Sequence, residues 1–185
     1  MPRYLLIYAS THGHTGRIAT RIAAALEQDG ATVDLHQLSG GDDETTPHDY
    51  DAVIVGGSIH TGHHQRELVE WVECHHTALG VIPSAFFTVC LTVADDTEES
   101  RAATRGYLDD FVEATGWTPG RSATFAGALQ YREYDFATRL FVRLLMQSKH
   151  YPTDTSQDHD FTEWDAVERW AHELGALTTL AVAEA

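Results

Sequence analysis

The chain has 185 residues and a formal net charge of −16 at pH 7. This length suits one domain with its own core, and the two cysteines, Cys74 and Cys90, provide no disulfide framework. The negative charge argues against nucleic-acid binding, which needs basic surface to neutralise phosphates. We therefore expect no nucleic-acid partner.

The excess of acidic residues also bears on the salt concentration in which the protein works. Lys149 is the sole lysine, whereas Asp and Glu together number 28. Such a surface repels itself in dilute buffer and is tolerated where salt screens the charges. We interpret it as halophilic, an adaptation to a salty cytoplasm; the alternative is an ordinary acidic protein. The sequence shows neither a leader pattern nor an apolar run long enough to span a membrane, so we expect a cytoplasmic location.

The first half of the chain alternates apolar runs with an amphipathic segment. Residues 4–8 and 52–56 are continuous apolar runs that predict buried strands, and residues 32–38 alternate like another strand. Residues 39–49 are polar and predict a loop. Four-residue spacing of apolar side chains predicts a helix that Gly30 ends, with Ile18, Ile22 and Leu26 on its inner face.

The second half continues the same alternation. Residues 85–91 and 122–129 predict a fourth and a fifth strand, and residues 96–115 predict a helix between them. Another helix precedes the fourth strand and is marked by Leu68, Val69 and Val72. The sequence at residues 162–165 is typical of a helix start. The apolar face of that last helix is supplied by Val167, Trp170, Ala171 and Leu174.

Alternating strands and helices predict an α/β fold, in which a parallel sheet is covered by helices on both faces. Right-handed crossovers and five strands suit the order 2-1-3-4-5 in a three-layer sandwich. We assign the domain to residues 1–177, with an insertion after the fifth strand at about 130–160. Residues 178–185 are expected to form a flexible tail.

Three loops follow strands at the edge where open α/β sheets bind ligands. The first offers hydroxyls and backbone N–H groups at the start of a helix, whose dipole favours an anion such as phosphate. It comprises Ser10, Thr11, His12, Gly13, His14 and Thr15. It matches neither the Walker nor the dinucleotide-binding glycine pattern. The alternative is an ordinary polar loop.

The second and third loops cover residues 57–64 and 92–95. The glycines before Ser58 permit unusual backbone angles and close approach to a flat ligand. The histidines of the second loop, with His75 and His76 nearby, match no standard zinc spacing. We therefore predict no metal, and interpret these histidines as hydrogen-bonding groups for a ligand.

The loop at residues 10–15 resembles the phosphate loop of flavodoxins. More widely, the chain resembles the flavodoxin-like, quinone-dependent protoporphyrinogen oxidases (dehydrogenases) of haem synthesis. The motifs that carry this resemblance are residues 57–59 with Gly62 and His63, 83–86, 126–129 with Tyr131, and 153–155 leading to 162–164. The resemblance implies a flavodoxin-like fold.

The resemblance also implies an FMN cofactor, with its phosphate held by the loop at residues 10–15. The flavin ring would lie between two groups: Ser58, Ile59, His60, Gly62 and His63 on one side, and Leu91, Thr92, Val93 and Ala94 on the other. FMN would carry the chemistry, oxidising a porphyrinogen and passing electrons to a quinone. No catalytic side chain is assigned. His63 is a candidate for polar contact with flavin or substrate, the alternative being a surface histidine.

The predicted insertion combines an apolar face with basic residues. The apolar residues are Phe136, Leu140, Phe141, Leu144, Leu145 and Met146, and the basic ones are Arg132, Arg139, Arg143, Lys149 and His150. A basic amphipathic helix at 132–150 can contact an anionic membrane surface peripherally, or grip a flat substrate that bears carboxylates. The alternative is a helix packed on its own sheet. The sequence leaves an oligomer open.

Two features depart from the family pattern. Residues 95–99 are acidic where family members are basic, and Thr61 stands where they have an aromatic residue. Three alternative functions therefore remain: a flavodoxin-type electron carrier, an NAD(P)H:quinone reductase, and a haem- or porphyrin-binding module without turnover.

Overall fold

The computed structural model describes residues 1–40, 44–94, 97–129 and 158–183. Its main elements in chain order are β1 (Arg3–Tyr8), α1 (His14–Gln28), β2 (Thr32–Gln37), β3 (Ala52–Ser58), α2 (Arg66–Leu79), β4 (Ser84–Cys90), α3 (Glu98–Thr115) and β5 (Arg121–Ala126). Two short strands, β6 (Ala128–Leu129) and β7 (His159–Asp160), precede the last helix, α4 (Trp164–Ala183).

The first five strands form one parallel sheet in the order β2-β1-β3-β4-β5. The predicted α/β class and strand order are confirmed. The apolar runs of β1 and β3 lie at the centre of the sheet, where helices cover both faces, so their side chains are buried on each side. This order places the carboxyl ends of β1, β3 and β4 next to one another.

Side chains alternate between the two faces of the sheet and build two separate cores. On one face Leu6 and Ile54 pack against α1 and α4, and Ile18, Ile22 and Leu26 of α1 are fully buried there, as their spacing predicted. On the other face Leu5 and Val53 pack with α2 and α3. Burying each large apolar side chain contributes about 1.5–3 kcal/mol. With helices packed on both faces of the sheet, the molecule is the predicted three-layer sandwich.

The predicted fifth strand is too long. Only residues as far as Ala126 pair with β4. Gly127 interrupts the strand, and β6 then pairs antiparallel with β7 in a separate two-stranded sheet. The insertion therefore leaves and re-enters the domain at one point. Its predicted amphipathic helix at 132–150 lies outside the described residues.

The last helix extends past the predicted boundary at residue 177. Helix α4 continues through Ala183, and Thr178 within it is buried at 6% exposure. The apolar face predicted for this helix ended at Leu174, nine residues before the helix itself ends. None of the helices in the described ranges combines the length and apolar character needed to cross a bilayer.

Candidate functional site

The structure brings the three predicted loops to one edge of the sheet, because they follow β1, β3 and β4. The rings of His12 and His60 lie 6.0 Å apart, which joins the first loop to the second. The Ile59 N–H donates to the Val89 carbonyl at 2.9 Å, which ties the second loop to the end of β4. The loops thus meet at the edge where open α/β sheets have their ligand-binding cleft.

The first loop turns on Gly13, which has a φ of +81° in the left-handed region that favours glycine. Its N–H donates to the Ser10 hydroxyl at 3.0 Å. Gly13 is also the N-cap of α1 and offers no side chain to the amides of the first helical turn. Those amides and the adjacent hydroxyls suit an anionic ligand.

His14 and Thr15 already belong to α1, and both are buried. The Thr162 hydroxyl donates to the Ala126 carbonyl at 2.9 Å, so its oxygen must accept the 2.7 Å hydrogen bond from His14 Nε2. Burial lowers the pKa of His14, which favours this neutral form. Its ring therefore ties α1 to the start of α4. His14 was predicted to bind the cofactor as part of the loop at residues 10–15, and with its ring engaged here that prediction rests on its backbone N–H.

The second loop is a tight turn. His60 and His63 exchange backbone hydrogen bonds of 2.9 and 3.2 Å, and both central residues have positive φ, +50° at Thr61 and +90° at Gly62. Positive φ at both positions is typical of a type I′ turn, where a glycine is common. Thr61, the position of the missing aromatic residue, is exposed at the tip.

The glycines before Ser58 have a different role from the predicted one. Both lie in β3, and neither has a positive φ. A Cβ at Gly56 would lie 2.1 Å from the buried ring of Phe87, and one at Gly57 would lie 2.5 Å from Leu68. These glycines make room for neighbouring side chains, because the interior is close-packed.

Gln65 was not among the predicted site residues. It is 9% exposed and precedes α2. Its Oε1 accepts from the Ser58 N–H at 3.1 Å, and its Nε2 donates to the Ser58 hydroxyl at 2.6 Å and, at 3.5 Å, to the Thr11 hydroxyl. It links the first and second loops. Gln is not a preferred N-cap residue, so no strong local pattern marks this position in the sequence.

The third loop is a short helical turn at Leu91–Ala94. Its conformation is fixed from α3, where the buried Ser100 donates its hydroxyl to the Thr92 carbonyl. Thr97 caps α3 by accepting from the Ser100 N–H at 3.1 Å. Leu91, Thr92 and Val93 are half-buried, as suits the wall of a cleft.

Beneath the cleft, the His64 ring packs 5.4 Å from Phe86 and 4.8 Å from Phe111, and its Nε2 lies 3.1 Å from the Thr88 hydroxyl. Burial, with a smaller effect from nearby His63, lowers the pKa of His64 to about 4. His64 is therefore neutral near pH 7 and acts as a packing residue below the second loop.

The described histidines of the second loop and of α2 make separate contacts. His75 contacts the Trp71 carbonyl at 2.7 Å through Nδ1, and His76 contacts the Glu73 carbonyl at the same distance. His60 and His63 are exposed in the second loop. Over the described part of the chain, no three His, Cys, Asp or Glu side chains are placed to share an ion.

Residues 5–156 match the model of the flavodoxin domain family. The chain is 34% identical over 177 residues to protoporphyrinogen IX dehydrogenase (quinone) of Leishmania major, covering 95% of this chain and 76% of that protein. It is 33% identical over 177 residues to the protein of the same name from Escherichia coli K12, covering 94% and 95%.

Solved structures show the same fold. Oxidised flavodoxin 1 of Bacillus cereus superposes with a TM-score of 0.55 at 13% identity, covering 93% of this chain and 96% of that one. A flavodoxin of Streptococcus pneumoniae TIGR4 superposes with a TM-score of 0.52 at 17% identity, covering 94% and 98%.

The low pKa of His64 makes folding depend on pH. Below about pH 6.5 this histidine takes up a proton in the unfolded chain, but in the folded protein it does so only near pH 4. The contribution of neutral His64 to the free energy of unfolding is complete above pH 6.5. About 3 kcal/mol is lost as the pH falls to about 4. Urea unfolding of wild type and H64F at pH 7 and pH 4 should show that the free energy of unfolding falls more in wild type than in the variant. Equal losses would contradict the assignment.

Proposed function

This chain belongs to the flavodoxin domain family, among the proteins named protoporphyrinogen IX dehydrogenase (quinone), and from that premise we propose that it is an FMN-dependent enzyme that oxidises protoporphyrinogen to protoporphyrin with a quinone as acceptor. The observation that carries the proposal is the likeness to two such enzymes over at least 94% of this chain. The sheet-edge cleft is where this activity would reside.

The first loop fits the phosphate of FMN. The Gly13 turn leaves the amides at the start of α1 without a side-chain cap, and Ser10 and Thr11 add hydroxyls beside them. A phosphate group at this place would gain backbone hydrogen bonds and the favourable helix dipole. In a chain with a net charge of −16, this local donor set offsets the general repulsion of an anion.

The second and third loops fit a flat ring. Ser58 presents a hydroxyl, and the tight turn from His60 to His63 follows β3. The turn at Leu91–Ala94 follows the neighbouring strand β4, includes the half-buried Leu91, Thr92 and Val93, and is bonded to α3 through Ser100. Two rigid walls orient a ring with little loss of entropy on binding.

When bound, FMN would accept a hydride or electrons from the porphyrinogen and pass them to the quinone. The residues of this chain bind and orient the reactants. His60 and His63 are exposed at the mouth of the cleft, where their ring nitrogens can hydrogen-bond to substrate carboxylates or to the flavin. His63 remains our candidate for that contact.

The proposed quinone acceptor indicates where in the cell the reaction would take place. A quinone dissolved in the cytoplasmic membrane requires the enzyme to approach that surface, so we propose a cytoplasmic protein in peripheral contact with it. The basic amphipathic segment at 132–150, which lies outside the described residues, is the part of the chain with the appropriate character.

Anaerobic reduction of the flavin tests the activity. FMN-loaded protein in high salt should lose its visible flavin absorbance when protoporphyrinogen is added, because the substrate delivers its electrons to the cofactor. Adding a water-soluble quinone should then restore that absorbance while porphyrin fluorescence rises. Flavin that stays oxidised with protoporphyrinogen but is reduced by NAD(P)H would assign the protein to the quinone reductases. Reduction only by a partner reductase would assign it to the carriers.

A glycine pair tests the phosphate loop. An alanine side chain meets no atom within 4 Å at Gly13 or at Gly40, and both have a φ of +81°. Each Gly→Ala change should therefore cost about 1–2 kcal/mol through backbone strain alone. G13A should also raise the Kd for FMN about tenfold, since strain displaces the phosphate loop. Fluorescence titration should show no such rise for G40A, and equal affinities in both variants would refute the assigned loop.

A further inference from the structure

The Gln65 side chain has a defined orientation, although its oxygen and nitrogen have the same shape. The Ser58 N–H can only donate, so the atom 3.1 Å away must be the Gln65 oxygen. The amide nitrogen then faces the Ser58 hydroxyl at 2.6 Å and the Thr11 hydroxyl at 3.5 Å. Gln65 is buried at 9% exposure and packs against Gly57, where a Cβ would lie 3.5 Å from its oxygen.

This orientation determines what the two hydroxyls can do. An amide N–H can only donate, so each hydroxyl oxygen accepts from Gln65 and retains its own proton for a different acceptor. Thr11 lies in the loop proposed to hold the phosphate, and Ser58 lies at the start of the loop proposed to border the flavin ring. Both protons are thereby available to a ligand that carries acceptors, namely phosphate oxygens and the polar edge of a flavin.

We propose that Gln65 is a positioning residue for the cofactor: through one buried amide it sets Ser58 and Thr11 as hydrogen-bond donors toward bound FMN. It does not itself contact the ligand. The inference rests on the proposed function, since it assumes that FMN lies between these loops. It adds a residue, and a direction of hydrogen bonding, that the family resemblance did not assign.

Two substitutions at Gln65 separate the effect of hydroxyl orientation from the effect of an added charge. In Q65E the carboxylate still accepts from the Ser58 N–H, but its second oxygen can only accept and turns the hydroxyl protons away from the ligand. Q65M has a similar length, carries no charge and orients neither hydroxyl. We expect both to raise the Kd for FMN, by about ten- to a hundredfold for Q65E and about tenfold for Q65M. Q28E, the same chemical change at the exposed end of α1, should leave it unchanged.

A double-variant cycle tests whether Gln65 acts through Ser58. S58A removes the hydroxyl, so Q65M should weaken FMN binding less in the S58A background than in wild type. The reduction potential of bound FMN should become more negative in Q65M and in S58A, without adding in the double variant, because a donor to the ring favours its electron-rich reduced form. A purely structural role for Gln65 would leave that potential unchanged.

The outcomes distinguish this inference from the proposed function. If wild-type protein does not bind FMN, the proposed function fails. If wild type binds FMN and both Q65M and Q65E bind it equally well, only the role of Gln65 is overturned. Urea unfolding of each apoprotein identifies a variant that has lost its fold, and the near-isosteric Q65E then carries the test in place of Q65M.

Discussion

The order of the parallel sheet is the constraint on which the rest of this molecule depends. With β1 and β3 side by side and β4 next to β3, three loops distant in sequence begin at one edge. Right-handed crossovers permit few other arrangements of these elements. The two apolar cores hold this order, and close packing leaves no room for side chains at Gly56 and Gly57. The cleft is therefore a consequence of how the sheet is covered.

The loops themselves are held by a few buried polar contacts. Gln65 joins the first loop to the second, Ser100 fixes the third, and Thr162 connects α1 to the end of β5 through His14. Each such contact contributes about 1 kcal/mol when made, and leaving one partner unsatisfied costs more. These bonds leave exposed hydroxyls and amides facing the cleft. A rigid cleft loses little entropy when it binds a ligand, which suits a cofactor that stays with its protein.

Patterns that depend on neighbouring residues were readable from the sequence. The apolar spacing of Ile18, Ile22 and Leu26 predicted a buried helix face, and continuous apolar runs predicted the central strands. Features set by distant contacts were not readable. The side chain of His14 turns to Thr162, which is 148 residues away, and Gln65 meets Thr11 across 54 residues. The end of β5 was misplaced because residues 128–129 leave the sheet and pair with the returning β7, which no local pattern reveals.

The central claim is that FMN binds at the carboxyl edge of the sheet, across the ends of β1, β3 and β4. Backbone amide resonances, followed while FMN is added to isotope-labelled apoprotein, test it most directly. The account predicts shifts for Thr11 to Thr15, for Ser58 to His63 and for Leu91 to Val93, while amides at the opposite edge, such as those of Arg3, Ser84 and Arg121, stay in place. Shifts centred on that opposite edge, with the three loops unchanged, would contradict it.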